Sequence, residues 1–327
     1  MLFLNSTDIN NLITMKEAID SIENAFTNVD SEDCKMLPRQ IFNVPKQNGD
    51  ILFMSAQLMK NNPVITKIVG SFPNNPSKYK KPTILASLLI TDQNTGEIIA
   101  FMDGSHLTAL RTGAISGVAT KYLANKNTHI VGVIGAGIQS ETQLLAVTSI
   151  LNIKKIFIYD INPLHSQNFI NKMNKKLKIE FVITNNAKEL VQSSELIITA
   201  TTSSTPVFNG EWLSPGTHIN SVGWVGTQGG ELDLKTFMRS KLIVDIKESC
   251  LTEAGDLISA IKTDKLNSNV VYAELTELIN NKKIGRKSKD EITLWKSVGT
   301  SIQDAAIAKL AYDKALDKGL GLDIKID

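Results

Sequence analysis

The segment of this sequence with the clearest chemical meaning is an apolar run, His129-Ile130-Val131-Gly132-Val133-Ile134, that leads straight into Gly135-Ala136-Gly137-Ile138-Gln139-Ser140. Glycines in a GxGxxS turn permit a tight passage from strand to helix. They also let the backbone approach a pyrophosphate, which the N-terminus of the following helix attracts. The small Ser140 stands where a third glycine is usual. Such turns also arise for purely geometric reasons, so the context decides. Asp160 ends the next apolar run, Ile156-Phe157-Ile158-Tyr159, about 25 residues beyond Gly135, the place for a carboxylate that accepts hydrogen bonds from an adenosine ribose. The same charge would repel a 2′-phosphate, so NAD(H) is expected rather than NADP(H). A competing reading makes Asp160 the cap of a helix beginning near Pro163. Further on, Ala200-Thr201-Thr202 and Ser221-Val222-Gly223-Trp224-Val225 follow apolar runs, at the carboxyl edge where dinucleotides lie. Thr201 as a cofactor contact competes with plain loop chemistry, and Trp224 as a packing surface competes with an ordinary buried aromatic.

These residues need a scaffold, and the texture of the chain supplies one. Between Thr128 and about Asp245, continuous apolar runs alternate with helical stretches (HIVGVIG, KKIFIYD, IEFVIT, ELIITAT, THINSVG, KLIVDI), the pattern of a parallel, doubly wound sheet buried on both faces. Before it, IFNV, DILFMSA, ITKIVGSF and TILASLLIT, broken by Pro, Asn and Gly, read as a mostly antiparallel sheet. Ser6-Thr7-Asp8 and Thr14-Met15-Lys16-Glu17 read as caps, the second for a helix over about 15–28. DQNTGEIIAFMDG reads as a hairpin turn with its return strand, and LTALRTGAISGVATKYLA as the helix into the second domain. The Lys-rich NFINKMNKKLK reads as a solvated helical face. The final helix, SIQDAAIAKLAYDKALDKGLG, is expected to pack back on the first domain. The fold class is therefore α/β: a central Rossmann sheet plus an α+β domain built from both chain ends. The boundaries expected are 1–112, completed by 300–327, and 113–299.

Bulk properties narrow the function. At 327 residues, with 42% apolar and 21% charged residues and a net charge of +2, the chain has room for two cores and gives no electrostatic reason to propose nucleic acid as partner. The two cysteines, Cys34 and Cys250, form neither a CxxC pair nor a disulfide framework. No apolar run approaches the ~20 residues needed to span a bilayer, and MLFLNSTDINNLI lacks the flank of a signal peptide, so a cytoplasmic protein is expected. His106, His129, His165 and His218 show no pairing typical of a metal site or a triad, so neither a metal nor a catalytic histidine is expected.

With these elements in place, the chain resembles the ornithine cyclodeaminase and μ-crystallin family, which includes alanine dehydrogenases and cyclic ketimine reductases. The likeness rests on Leu37-Pro38-Arg39, Thr66-Lys67-Ile68-Val69 with Pro73, Met102-Asp103-Gly104, Leu107-Thr108-Ala109-Leu110-Arg111-Thr112-Gly113-Ala114 and the Gly135-Ala136-Gly137-Ile138-Gln139 turn. It continues through Glu231-Leu232-Asp233, Glu253-Ala254-Gly255-Asp256, Glu274-Leu275-Thr276-Glu277-Leu278, Gly285-Arg286 and Trp295-Lys296-Ser297-Val298-Gly299. The resemblance implies a homodimer, with each active site in a cleft beside the nicotinamide.

It also implies that Arg39, Lys67 and Arg111 line the substrate pocket, where an arginine fork suits an amino or imino acid carboxylate. Lys67 has an argument of its own. It lies between the apolar pieces PVIT and IVGSF, and an inward lysine needs an anionic partner or a task. Thr83, Thr112 and the Lys296-Ser297-Val298-Gly299 segment, read as opening the last helix, are implied near the cofactor. Val222, Gly223 and Val225 are expected to flank the nicotinamide. Cyclodeaminases of the family carry an aspartate where counting back from Glu231 places Val225, and valine can neither hold a distal ammonium nor shuttle a proton. The expected activity is therefore NAD(H)-dependent reduction or oxidation of a small amino or imino acid, with Lys67 as the proton-transfer partner. The alternatives are a cyclodeaminase that recycles NAD and a non-catalytic, crystallin-like nucleotide-binding protein.

Overall fold

The computed structural model describes residues 1–223, 226–263 and 265–325. The chain divides into two compact units, Met1–Arg111 with Thr300–Asp327, and Thr112–Gly299.

The first unit is a mixed sheet backed by helices. Its strands are β1 (Leu2–Leu4), β2 (Lys35–Met36), β3 (Gln40–Val44), β4 (Gly49–Gln57), β5 (Val64–Ser71), β6 (Ile84–Thr91) and β7 (Ile98–Asp103), with a late strand, Leu322–Asp323, labelled β16 in chain order. The order is β16-β1-β7-β6-β5-β4-β2, with β3 also on β4. Pairing from β2 through β7 is antiparallel; only β1 and β7 run parallel. The β6–β7 turn is held by Asp92, whose carboxylate accepts from the amides of Asn94 and Thr95. Helices α1 (Ser6–Leu12) and α2 (Met15–Thr27) join the late helix Ser301–Lys318, labelled α12, which packs on α2, β4 and β5. Thr14 and Glu17 form the capping box of α2 as expected. For α1 the cap is Asn5, one residue before the expected Ser6, because the Asn5 side chain reaches the amides of Thr7 and Asp8 while Asp8 reaches back. The short helix α3 (Asn75–Tyr79) and helix α4 (Gly104–Leu123) complete this part of the chain, the unit boundary falling within α4.

The second unit is the expected doubly wound sheet. Strands β8 (Ile130–Ile134), β9 (Lys155–Tyr159), β10 (Glu180–Ile183), β11 (Leu196–Thr199), β12 (His218–Ser221), β13 (Lys241–Val244), β14 (Val271–Glu274) and β15 (Thr293–Lys296) lie in the order β10-β9-β8-β11-β12-β15-β13-β14, all parallel. Helices α5 (Ile138–Ile150), α6 (Pro163–Met173), α7 (Ala187–Gln192), α8 (Leu234–Arg239), α9 (Lys247–Glu253), α10 (Gly255–Ile261) and α11 (Leu275–Ile279) connect them. Apolar side chains fill both faces, Val131, Val133, Ile156 and Ile158 in one core and Ile197, Ile219, Leu242 and Leu294 in the other.

Two expectations need correction here. The Lys-rich helix ends at Met173, so Asn174 to Lys176 form a turn beyond it. Lys296 does not open the last helix: it ends β15, a strand inserted between β12 and β13, and α12 begins only at Ser301. A central strand buried on both faces has no polar alternation, and its terminal lysine gave it the look of a helix start.

Candidate functional site

The GxGxxS turn has the geometry of a phosphate cradle. Gly135 takes φ +94°, a left-handed backbone in which a Cβ would also strike Thr201 and the Ala200 carbonyl. Gly137 caps α5 with no side-chain hydrogen bond, and a Cβ there would meet only open space. The N-terminal amides of a 13-residue helix thus face an open approach that no side chain fills, which fits a dinucleotide pyrophosphate. Ser140 does more than replace a glycine: its hydroxyl donates to the Gly135 carbonyl at 2.5 Å and locks the turn. Ile138, at the first turn of α5, is exposed, while the buried Gln139 Oε1 has no hydrogen-bond partner.

Asp160 is tied to this turn. Its carboxylate accepts from the amides of Ala136 and Asn162, each at 2.9 Å, and lies 3.3 Å from His165 Nδ1. It does not cap α6, because Asn162 does that through the Leu164 amide. A carboxylate can accept further hydrogen bonds, so these contacts leave Asp160 competent to receive ribose hydroxyls.

At the carboxyl edge of the same sheet lies a buried charge network that the sequence reading missed. Glu231, fully buried, accepts from the Thr199 hydroxyl (2.9 Å), the Thr201 amide (2.6 Å) and the Gly223 amide (3.0 Å), bracing the loops after β11 and β12. Gly223 must be glycine, since a Cβ would lie 2.3 Å from the Glu231 carboxyl carbon. Lys296 Nζ pairs with Asp256 at 2.9 Å and donates to Ser221 Oγ at 3.2 Å. Burial alone would lower the Lys296 pKa, but the carboxylates of Asp256 and Glu231 outweigh it and hold the group above the ordinary lysine value. Burial pushes the Glu231 carboxyl up, against the pull of Lys296. Asp245 accepts from the Ser297 hydroxyl (2.5 Å) and the Gly299 amide (3.0 Å), fixing the loop after β15. Val298 in that loop is buried.

In the first unit the expected basic residues converge. Lys67, on β5, is 1% exposed and forms an ion pair with Asp304 of α12 at 2.6 Å. Arg111 Nε lies 3.1 Å from the other Asp304 oxygen, and Arg111 Nη1 donates to Gln303 Oε1 at 2.5 Å. Arg39, between β2 and β3, acts electrostatically on Lys67. Burial, offset by Asp304 and reinforced by Arg111 and Arg39, lowers the Lys67 pKa to about 8. Such an ammonium exchanges its proton near neutral pH.

The remaining expected site residues are placed as follows. Thr83 sits in the bend before β6, not within the strand, and its carbonyl accepts from the Phe72 amide. Thr112 is buried in α4, its carbonyl accepting from Gln143 Nε2. The Val222 amide donates to the Thr199 carbonyl. Val225, on which the cyclodeaminase argument turns, lies outside the described residues, as does Trp224. Asp304 was missed because a buried aspartate on a mixed helix face looks like any solvated one. The unanswered charge of Lys67 was the available signal that some acid had to come to it. Among the described residues, no group of three or more His, Cys, Asp or Glu could hold a metal ion, and no helix is long and apolar enough to cross a membrane.

The ornithine cyclodeaminase/mu-crystallin family model matches residues 1–319. The solved structure of Thermococcus litoralis Delta(1)-pyrroline-2-carboxylate reductase, in complex with NADH and L-proline, is 47% identical and superposes with a TM-score of 0.96 over 99% of this chain and all of that one. An archaeal alanine dehydrogenase dimer with bound NAD is 34% identical, with a TM-score of 0.92 over 100% of this chain and 99% of that one. The alanine dehydrogenase of Archaeoglobus fulgidus is 34% identical over 324 residues, covering 99% of this chain and 98% of its own. With a family match spanning both units and relatives of this identity over their full lengths, the chain belongs to the ornithine cyclodeaminase/mu-crystallin family.

Proposed function

We propose that this protein is an NAD(H)-dependent oxidoreductase of small amino or imino acids, of the alanine dehydrogenase or pyrroline-2-carboxylate reductase type. The observation that carries the reading is the buried cluster in which Lys67 and Arg111 meet at Asp304 while Arg39 acts on Lys67, a concentration of basic groups suited to a substrate carboxylate. A nicotinamide, when bound, would supply or accept the hydride. Arg111 and Arg39 hold the carboxylate, and Lys67 transfers the proton at the substrate nitrogen. Gly135, Ala136, Gly137, Ile138 and Gln139 form the pyrophosphate cradle, and Asp160 holds the ribose. Thr201, Val222, Gly223 and Ser297 to Gly299 shape the nicotinamide end, with Thr83 and Thr112 as further contacts. In this reading the first unit is the substrate-binding and dimerisation domain and the second the NAD domain. The names of the relatives, with NADH and proline in one and NAD in another, support it.

A homodimer belongs to the same proposal. Phe42 on β3 and Leu85 on β6, which share one face of the first unit's sheet through the register Phe42–Ile51–Gly70–Leu85, are 64% and 41% exposed, apolar surface suited to burial against a second copy. The decisive assay offers pyrroline-2-carboxylate, and pyruvate with ammonia, under NADH and follows loss of nicotinamide absorbance. Ornithine with catalytic NAD is the counter-assay. Efficient proline and ammonia formation without net NADH would move the cyclodeaminase reading to first place. It would also show that another residue supplies the carboxylate expected where Val225 stands.

A further inference from the structure

We infer that Asp304 is the positioning residue of the basic cluster: one of its oxygens keeps Lys67 an ammonium ion while the other orients Arg111 for the incoming carboxylate. The sheet cannot do this. Lys67 faces Met54 on β4 and Leu88 on β6 in register, both buried and apolar, so its own sheet neighbours offer no counter-charge. The charged groups that act on Lys67 come from elsewhere in the unit, Asp304 from α12, Arg111 from α4 and Arg39 from the link between β2 and β3. Of these only Asp304 is anionic. The Lys67 and Asp304 side chains are each 2% exposed, so water cannot substitute for it. Gln303, its chain neighbour, accepts a hydrogen bond from Arg111 Nη1, while Asp304 stands 3.1 Å from Arg111 Nε as an ion-pair partner, so consecutive residues of α12 act on one guanidinium.

Two consequences follow. Removing the negative charge lowers the proton affinity of Lys67, because burial and two arginines then act unopposed. It also takes the ion-pair partner from Arg111, so a carboxylate ligand is held less well while proton delivery weakens. The inference rests on the proposed imino acid chemistry only for the meaning of that proton, not for its location.

The test is therefore a titration that needs no substrate: the side-chain carbon resonances of isotopically labelled lysine in the full-length protein, with the Lys67 signal assigned by its loss in Lys67→Arg. The midpoint expected for the unmodified protein is about 8. Asp304→Asn should lower it by roughly one pH unit or more, and Arg111→Gln, which removes a neighbouring cation, should raise it. An unchanged or raised midpoint in Asp304→Asn overturns the assignment. Should that variant not fold, an unchanged or lowered midpoint in Arg111→Gln overturns it instead. Kinetics add a split that general damage would not produce. Asp304→Asn should raise KM for the acid, because Arg111 loses its ion-pair partner, while the alkaline limb of reductive kcat moves to lower pH; an unmoved limb contradicts the role. If the unmodified protein reduces no imino or keto acid, the proposed function fails while the titration still decides the place of Asp304.

Discussion

Replacing Asp160 by alanine should do two separable things to cofactor binding. In the structure the carboxylate takes the amides of Ala136 and Asn162 at 2.9 Å, and its side chain is 14% exposed, so it is partly shielded from water. Deleting it removes the proposed ribose acceptor and also releases the Ala136 amide, loosening the turn that would hold the pyrophosphate. A hydrogen bond to a charged group contributes about 1.5–3 kcal/mol, which converts to a roughly 10–150-fold loss of NADH affinity. NADPH should lose less, because the carboxylate it no longer meets was repelling its 2′-phosphate, so the preference for NADH should collapse toward parity. Asp160→Asn separates the two effects. The amide oxygen can still accept from one backbone amide, so the turn is partly kept while the repulsion disappears. The assay is fluorescence titration of both reduced cofactors at fixed ionic strength. Equal affinity for NADH and NADPH in the unmodified protein, or an Asp160→Ala variant that binds NADH undiminished, would refute the reasoning.

Arg111→Lys should lower kcat/KM by roughly 100-fold or more, because a point charge cannot hold Asp304, Gln303 and a substrate carboxylate together; NADH affinity should change little, and near-normal efficiency would show the clamp to be elsewhere. Gly113→Ala places a Cβ 2.5 Å from the Thr142 carbonyl oxygen of α5, a backbone contact that cannot swing away. The expected overpacking cost is about 1–3 kcal/mol, seen as a fall of several degrees in Tm by thermal denaturation, and an unchanged Tm would contradict the contact. His218 is fully buried, its pKa lowered to about 3 from 6.5 by burial and by Arg286. Because the folded value lies below the unfolded one, its contribution to stability is complete above about 6.5 and is lost as pH falls toward 3, with a slope of up to about 1.4 kcal/mol per pH unit. Urea denaturation at several pH values should show this slope flattened in His218→Gln; an identical slope would remove His218 as its source.

Local information in the chain suffices for much of the second unit. Strand β8, the GxGxxS turn, α5 and the aspartate ending the next apolar run are contiguous features. Their meaning depends on backbone sterics and on the helix terminus, both set within a few residues. The same holds for the capping box of α2 and for the alternation of apolar runs and helices. Lys67 marks the border of that legibility. Its apolar flanks require burial and burial requires an anion, but nothing near it in sequence says which one. The answer, Asp304, arrives on a helix from the far end of the chain. Glu231, Asp256 and Asp245 were likewise unreadable as a network, because each is an ordinary acidic residue until folding removes water and leaves amides, hydroxyls and Lys296 as its partners. Strand β15 was lost for a related reason. Its insertion between β12 and β13 depends on pairing with strands distant in sequence. Periodicity reports which face of an element meets water. Partner choice among buried charges and insertion order among buried strands are settled by three-dimensional proximity, where desolvation makes an unpaired charge or an unpaired backbone too costly to keep.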